Sequence, residues 1–117
     1  MSDHMTRIYI AGPITGRPDL NRAAFADAAE RLRKLGHDVA NPHGIDPHPH
    51  DGDCPASYAV AEPGGHGAAC YLRPCFVALL GCDEVHMLRG WMASTGACRE
   101  RQVADWAGIP VTYEESP

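Results

Sequence analysis

Short apolar runs alternate with helical repeats in the first third of the chain. Residues 7–11 form an apolar, β-prone run closed by a glycine-proline turn at 12–13, which predicts a first strand. Residues 20–35 carry apolar side chains at helical spacing with charges between them, and Gly36 is the expected stop. These apolar positions are Phe25, Ala28, Leu32 and Leu35. Residues 37–40 then supply a second short strand, so the pattern predicts a strand, an amphipathic helix and a strand.

The same alternation returns after a long loop. Residues from about 41 to 70 are crowded with proline, glycine, histidine and aspartate and show no apolar period, which predicts a loop. Pro74 suits the first turn of the next helix. The apolar positions of that helix are Leu72, Cys75, Phe76, Leu79 and Leu80. Residues 82–88 predict a buried strand, 94–107 a helix and 109–113 a last strand.

This order of elements predicts the fold class. Strands that alternate with helices favour a single α/β domain, here a Rossmann-like (flavodoxin-like) parallel sheet of about four to five strands with helices on both faces. The 117 residues are enough for one such domain. Open sheets of this kind bind ligands at the carboxyl ends of their strands. The segments 12–13 and 89–96 both fall at such ends.

The segment from Ser94 to Glu100 is the strongest candidate for a site. Ser94 suits the N-cap of the last helix, and Glu100 follows Gly96 by four residues on the same helix face. That face is the apolar one, so we expect a carboxylate on the buried side, with room for a ligand over it where Gly96 lacks a side chain. The alternative is a structural role, in which Glu100 pairs with Arg73 or Arg89.

Four motifs follow one another in an order typical of a known family. They are Tyr9-Ile10-Ala11-Gly12-Pro13, Ala24-Phe25 with Leu32 to Gly36, Cys82-Asp83-x-Val85, and Gly90-Trp91-x-x-Ser94-x-Gly96-Ala97-x-x-Glu100. Together they resemble the nucleoside 2-deoxyribosyltransferase superfamily, in particular its small phage and bacterial members. The resemblance covers most of residues 7–112, except for about 44–70.

The resemblance implies an enzyme that acts on a small nucleoside or nucleoside 5′-monophosphate. In that family the glutamate of the Ser-x-Gly-x-x-x-Glu helix, here Glu100, attacks the anomeric carbon and displaces the base. The covalent intermediate then passes to water in an N-glycosidase or to a second base in a deoxyribosyltransferase. No metal or organic cofactor is implied. The alternative is a catalytically altered protein of the same fold that only binds or senses a nucleotide.

The resemblance also implies a set of substrate-binding positions around Glu100. They are Tyr9, Gly12, Pro13, Cys75, Ser94, Gly96 and Ala97. The turn at 12–13 would border the sugar, the residues at 94–97 would donate to a 5′-phosphate, and Tyr9 would support the site together with Asp83. Residues 12–13 could border a ligand or serve only as a turn, because a glycine-proline pair is a turn in most proteins.

Cys75 is a departure from the family, which commonly has an aspartate at that position. With Pro74 in the first turn of the helix, Cys75 would lie near the helix N-terminus, where the dipole can lower the pKa of a thiol. This could give a modified chemistry or a loss of activity. A small apolar residue of the core or pocket is the simpler interpretation.

The histidine-rich loop leaves several alternatives open. Residues 41–54 hold enough histidine, aspartate and cysteine for a metal site, but prolines interrupt them and a solvated loop is favoured. His43 could instead reach the pocket from the end of the second strand. The glycine-rich stretch 63–67 reads as a flexible turn, and Trp91 either packs under its loop or lines a base pocket.

Composition limits the partners. The net charge of −5 leaves no electrostatic basis for binding nucleic acid or an anionic membrane. Five cysteines without a CxxC pair argue against a disulfide framework or zinc ribbon, and the absence of a signal or membrane-span pattern predicts a cytoplasmic protein. Relatives of this fold complete each pocket from a neighbour, which implies a homodimer or higher homo-oligomer. The segment 113–117 is a candidate for reaching that partner.

Overall fold

The fold consists of four strands and three long helices in a computed structural model that describes residues 5–14, 16–46 and 68–114. In chain order the elements are β1 (Arg7–Ala11), α1 (Arg22–Lys34), β2 (Asp38–Ala40), α2 (Ala68–Leu80), β3 (Glu84–Met87), α3 (Thr95–Trp106) and β4 (Val111–Tyr113). Short 3-10 turns lie at Pro18–Asn21, Pro42–Gly44 and Trp91–Ala93.

The strands form one parallel sheet in the order β2-β1-β3-β4. Tyr9 of β1 lies between Ala40 of β2 and Val85 of β3, and Met87 of β3 lies beside Tyr113 of the edge strand β4. The two central strands are mostly buried on both faces, as expected for parallel strands covered from two sides, although β3 carries the polar side chain of His86 on one of them. The predicted α/β class, parallel sheet and strand number are confirmed.

Alternate residues of β1 face two separate cores. Ile8 and Ile10 pack in a cluster with residues of α1, which are Phe25, Ala28, Ala29 and Leu32. Tyr9 and Ala11 pack in a second cluster with residues of α2 and α3, which are Cys75, Leu79, Ala97 and Ala104. The sheet therefore has α1 on one face and α2 and α3 on the other, as predicted.

One apolar position of α1 was predicted wrongly. Phe25, Ala28 and Leu32 are buried, but Leu35 is 73% exposed. The helix ends at Lys34, and Gly36 takes a positive φ of 95° as the predicted stop. Leu35 therefore lies beyond the last turn that packs against the sheet.

The start of α2 corrects a second prediction. The helix begins at Ala68, so Pro74 lies inside it and not in its first turn. Proline removes one backbone donor from a helix interior, so Pro74 leaves one carbonyl of the preceding turn without its usual helical partner. Within the predicted loop at about 41–70, a short 3-10 turn lies at Pro42–Gly44 and α2 begins at Ala68; residues 47–67 lie outside the described ranges.

The end of the described chain is bound to its own domain. The Glu114 backbone N–H donates to the Met87 carbonyl over 2.8 Å, and the Glu114 carboxylate lies 2.7 Å from the Arg31 guanidinium of α1. Tyr113 and Glu114 thus make contacts within this chain, and residues 115–117 of the predicted partner segment lie outside the described ranges. Across the described ranges, each helix is too short or too polar to span a membrane.

Candidate active site

Glu100 occupies the position that the helix pattern predicted. Ser94 is the N-cap of α3, and its hydroxyl oxygen accepts a hydrogen bond from the Ala97 backbone N–H at 3.2 Å. Glu100 lies one turn further along and is only 6% exposed. An ionised carboxylate is costly at such a place without polar partners. The groups around Glu100 therefore decide whether its carboxylate is ionised.

The donor to this carboxylate is a tyrosine from the centre of the sheet. The Tyr9 hydroxyl donates to Glu100 Oε2, and Tyr9 itself is fully buried. Burial raises the pKa of Glu100 to about 7, while the Tyr9 hydrogen bond acts in the opposite direction. Neither arginine of the alternative ion pair, Arg73 or Arg89, acts on this pKa. Burial and the adjacent Glu100 charge raise the pKa of Tyr9, so the tyrosine stays protonated.

Cys75 completes this cluster from α2. Its thiol is buried and lies beside the Tyr9 hydroxyl. Burial raises the pKa of Cys75, with the Tyr9 contact opposing that shift and the Glu100 charge adding to it. The predicted lowering by a helix dipole is wrong, because α2 starts at Ala68 and Cys75 lies in its second half. A thiol in this state is protonated and poorly nucleophilic.

The space beside the first turn of α3 is open at Gly96. A Cβ placed there would have Leu72 Cδ2 as its nearest neighbour, at 3.9 Å, which is an ordinary contact. The backbone N–H groups of the first helical turn have no acceptor inside the helix. The N–H of Ala97 is nevertheless satisfied, because it donates to Ser94 Oγ. Of the predicted phosphate donors, Ala97 is thus committed, and the N–H of Gly96 and the hydroxyl of Ser94 are the better candidates.

Gly12 and Pro13 are buried at the carboxyl end of β1. A Cβ on Gly12 would lie 2.8 Å from Leu88 Cβ, closer than real Cβ atoms come, so the glycine lets β1 approach the segment after β3. The Pro13 carbonyl accepts a hydrogen bond from the Asn21 side chain at 2.9 Å. Both residues have a packing role, whatever they contribute to a ligand.

Two histidines lie on the α1 face of the sheet, of which His86 is buried and His43 is partly buried. His43 packs edge-on against Phe25, with ring centroids 4.8 Å apart, and His86 Nδ1 lies 2.9 Å from Thr112 Oγ1. Within the described chain the Nε2 atoms of both rings are buried and lack a hydrogen-bond partner. Burial lowers the pKa of each ring and keeps it neutral. His43 thus lies against α1, whereas Glu100 faces α2.

Trp91 packs at the turn between β3 and α3. Its ring lies 5.8 Å from that of Tyr113, and the Arg101 guanidinium lies 5.5 Å above it while also donating to the Tyr113 hydroxyl at 2.9 Å. Of the two interpretations of Trp91, this packing favours the structural one. Trp106, at the end of α3, is 86% exposed.

The rest of the histidine-rich loop and the stretch 63–67 lie outside the described ranges. Among the side chains that the structure describes, in 5–14, 16–46 and 72–114, His, Cys, Asp and Glu form no group of three that could hold a metal. Sequence reasoning missed a separate cavity that Arg17, Arg89 and Glu114 help to line. Each of these residues follows a strand, which was the available signal.

Comparison with known proteins gives one family and a structural neighbour. The described fold is similar to the crystal structure of a conserved protein from Enterococcus faecalis V583, with 25% sequence identity and a TM-score of 0.64. The match covers 94% of this chain, which spans 63% of that protein. No curated protein matches the chain. Residues 6–113 match the family described as a domain of unknown function, DUF4406, and the chain therefore belongs to the DUF4406 family.

Proposed function

We propose that this protein cleaves or transfers the N-glycosidic bond of a small nucleoside or nucleoside 5′-monophosphate, with Glu100 as the nucleophile. The observation that carries the proposal is the buried Tyr9–Glu100 pair next to open space at Gly96. A carboxylate removed from water and fixed by one hydrogen bond is suited to covalent catalysis at an electron-poor carbon. The resemblance to nucleoside 2-deoxyribosyltransferases, which rests on the same residues, agrees with this chemistry.

The reaction would proceed in two substitutions at the anomeric carbon. One oxygen of the Glu100 carboxylate attacks that carbon, and the base leaves with the electron pair of the broken C–N bond and takes up a proton. Water or a second base then displaces Glu100 from the glycosyl ester. The Tyr9 hydroxyl bonds one carboxylate oxygen, Oε2, and so leaves Oε1 for the attack.

The surroundings of Glu100 set a requirement on protonation. Only the ionised carboxylate is a nucleophile, and a pKa of about 7 leaves a substantial fraction protonated near neutral pH. The Tyr9 hydrogen bond increases the ionised fraction, because it stabilises the charged form. Tyr9 is therefore a positioning and activating residue in this proposal.

The first experiment is chromatographic detection of free base. The protein is incubated with a panel of nucleosides and nucleoside 5′-monophosphates, with and without an acceptor base, beside two variants. Glu100→Gln should release no base, whereas Glu30→Gln, at an exposed carboxylate of α1, should match the native protein. Base release that survives in Glu100→Gln would rule out this nucleophile.

A second candidate function is nucleotide binding without chemistry. The observation in its favour is Cys75, a protonated buried thiol beside Tyr9 where related enzymes commonly have an aspartate. A thiol is a weak hydrogen-bond acceptor and cannot bind sugar hydroxyls as a carboxylate does. Nucleotide binding without base release, together with turnover regained in Cys75→Asp, would favour this function over the first.

The proposal also includes a homo-oligomer located in the cytoplasm. The resemblance that supports the glycosidic chemistry comes from proteins whose pockets a neighbouring subunit completes. Sedimentation equilibrium over a range of protein concentrations measures the assembly directly. A monomer throughout that range would contradict this part of the proposal.

A further inference from the structure

A cavity of about 420 Å³ opens at the carboxyl edge of the sheet. The residues that line it are Arg17, Asn21, Ala24, Arg89, Gly90 and Glu114. They come from the segments that follow β1, β3 and β4 and from the start of α1. In open parallel sheets this edge, between strands whose connections run in opposite directions, is where ligands bind. The cavity is in the size range of small-molecule sites, roughly 300 to 1,000 Å³.

The cavity is distinct from the Glu100 site. Ala24 packs with the cluster of Ile8 and Ile10 on the α1 face of the sheet. Tyr9 belongs to the cluster on the opposite face, where it meets Glu100. No residue that lines the cavity is part of the Tyr9–Glu100–Cys75 cluster. A ligand of this cavity therefore does not require the proposed glycosidic chemistry.

Arg17 supplies an available positive charge. Its guanidinium lies over Gly90, where an added Cβ would come within 2.6 Å of Nη2. Gly90 also has a positive φ of 86°, which glycine adopts without strain. In the part of the chain that the structure describes, Arg17 has no carboxylate partner. The backbone of Gly90 thus makes room for a cation at the cavity wall.

The carboxylate in the cavity does not neutralise this charge. Glu114 Oε2 lies 2.7 Å from Arg31 Nη2, and Glu114 Oε1 accepts from the Arg89 backbone N–H at 3.0 Å. Both oxygens of Glu114 are therefore engaged. With Arg17 and Arg89 among its lining residues, the cavity favours an anionic group, and arginine forks match the geometry of phosphate.

Asn21 adds a hydrogen-bond acceptor to the donors that the arginines supply. Its side-chain nitrogen donates to the Pro13 carbonyl at 2.9 Å, which fixes the amide. The amide oxygen remains able to accept a hydrogen bond from a ligand hydroxyl. The cavity is open to solvent, and its volume of about 420 Å³ is larger than inorganic phosphate alone requires.

We propose that this cavity binds a phosphorylated sugar, with the phosphate on Arg17 and Arg89 and a sugar hydroxyl on Asn21. The phosphate provides most of the affinity, because its contacts are charge-assisted. The sugar adds the contact to Asn21 and fills the remaining volume. This is a binding site separate from the glutamate at which the glycosidic chemistry is proposed.

The test follows backbone amide signals by two-dimensional NMR during three titrations, with glucose 6-phosphate, inorganic phosphate and glucose, at constant ionic strength. Glucose 6-phosphate should give saturable shifts at Asn21, Ala24 and Gly90. Inorganic phosphate should bind there more weakly, and glucose should give no saturable shift. Absence of saturable shifts with glucose 6-phosphate, or shifts confined to 94–97, would overturn the site. Equal affinity for inorganic phosphate would overturn the sugar contact.

Variants inside and outside the cavity test whether glucose 6-phosphate binds there. Arg17→Ala should weaken glucose 6-phosphate binding about tenfold or more, because one charge-assisted contact is lost. Arg33→Ala removes an exposed arginine of α1 outside the cavity and should leave the affinity unchanged. Glu100→Gln should also bind normally. Unchanged affinity in Arg17→Ala would overturn the proposal, whereas weaker binding in Glu100→Gln would place the ligand at the other site.

Discussion

The Tyr9 hydroxyl donates a hydrogen bond to the Glu100 carboxylate across 91 positions of sequence. Tyr9 comes from the centre of the sheet and Glu100 from the second turn of α3. The tyrosine is the polar partner that makes a buried carboxylate tolerable, and the glutamate is the acceptor that a buried tyrosine needs. Each residue therefore satisfies the other, and the pair fixes the position of one carboxylate oxygen.

The rate of base release should rise with pH through about 7. The reason is that Glu100 must be ionised to attack, and burial raises its pKa to about 7. The measurement is the ratio kcat/KM between pH 5 and pH 9, which reports groups of the free enzyme. A profile that is already flat above pH 5 would contradict the assignment of Glu100 as nucleophile.

Replacement of Tyr9 by phenylalanine should move that rise to higher pH. The Tyr9 hydrogen bond lowers the pKa of Glu100, so its loss raises this pKa further. Activity at pH 7 should fall and partly return at high pH. Tyr113→Phe is the matched control, because it removes a hydroxyl that accepts from Arg101. The same midpoint in Tyr9→Phe and the native protein would show that Tyr9 does not act on Glu100.

Glu100→Gln should stabilise the protein at high pH. The ordinary pKa of 4.5 applies in the unfolded chain and about 7 in the folded one, so the folded state retains a proton that the unfolded state releases. The free energy of unfolding therefore falls between these pH values, by about 3 kcal/mol, and glutamine does not titrate. His86 and the partly buried His43 oppose this trend, because their lowered pKa values favour the folded state at high pH.

The comparison between variant and native protein isolates the glutamate from those histidines. Urea unfolding at pH 4.5 and pH 8 should give a difference in unfolding free energy that shifts in favour of Glu100→Gln as the pH rises. Glu30→Gln changes an exposed carboxylate paired with Lys34 and should give a difference near zero at both pH values. A pH-independent effect of Glu100→Gln would mean that burial does not raise the pKa of this carboxylate.

Gly96→Ala should separate binding from folding. Alanine is the better helix former, and among the described residues its Cβ would meet Leu72 alone, at 3.9 Å, so the melting temperature should stay the same or rise. The methyl group would occupy the space that the proposal gives to the ligand. We expect KM for the substrate to rise about tenfold, since a misplaced methyl costs about 1 to 3 kcal/mol. An unchanged KM would place the ligand elsewhere.

Gly12→Ala should destabilise the fold. The added Cβ would lie 2.8 Å from Leu88 Cβ, so either β1 or the segment after β3 must shift. The expected loss is about 1 to 3 kcal/mol in the free energy of unfolding. Gly44→Ala, where no atom of the described residues lies within 4 Å of the added Cβ, is the matched control and should change stability little. Equal stability of the two variants would show that the close approach at Gly12 can relax.

Local features of this chain were predictable from sequence. The Ser94 cap, the buried face that carries Glu100 and the stop at Gly36 depend on residues within one or two helical turns of each other. The parallel pairing of the strands follows from their alternation with helices, whereas the order β2-β1-β3-β4 came from the structure. The sequence therefore predicted the fold class and the surroundings of α3.

The errors arose where packing overrides a local signal. Pro74 is a reliable marker of a helix start only when the preceding residues are not held in a helix by the rest of the fold. The alternative of a lowered pKa for Cys75 depended on that start and failed with it, whereas its simpler interpretation as a small buried residue is confirmed. The charged cavity was missed for a different reason, because Arg17, Arg89 and Glu114 are brought together only when three strands end at one edge.

The unequal environments of the two tryptophans give the protein an internal optical probe. Trp106 is 86% exposed, so its fluorescence should be that of an indole in water. Trp91 packs against Tyr113 in the turn that leads to Ser94, so its emission should lie at shorter wavelength. Replacing Trp106 with phenylalanine would leave one emitter, and its intensity would follow any ligand that orders or displaces that turn.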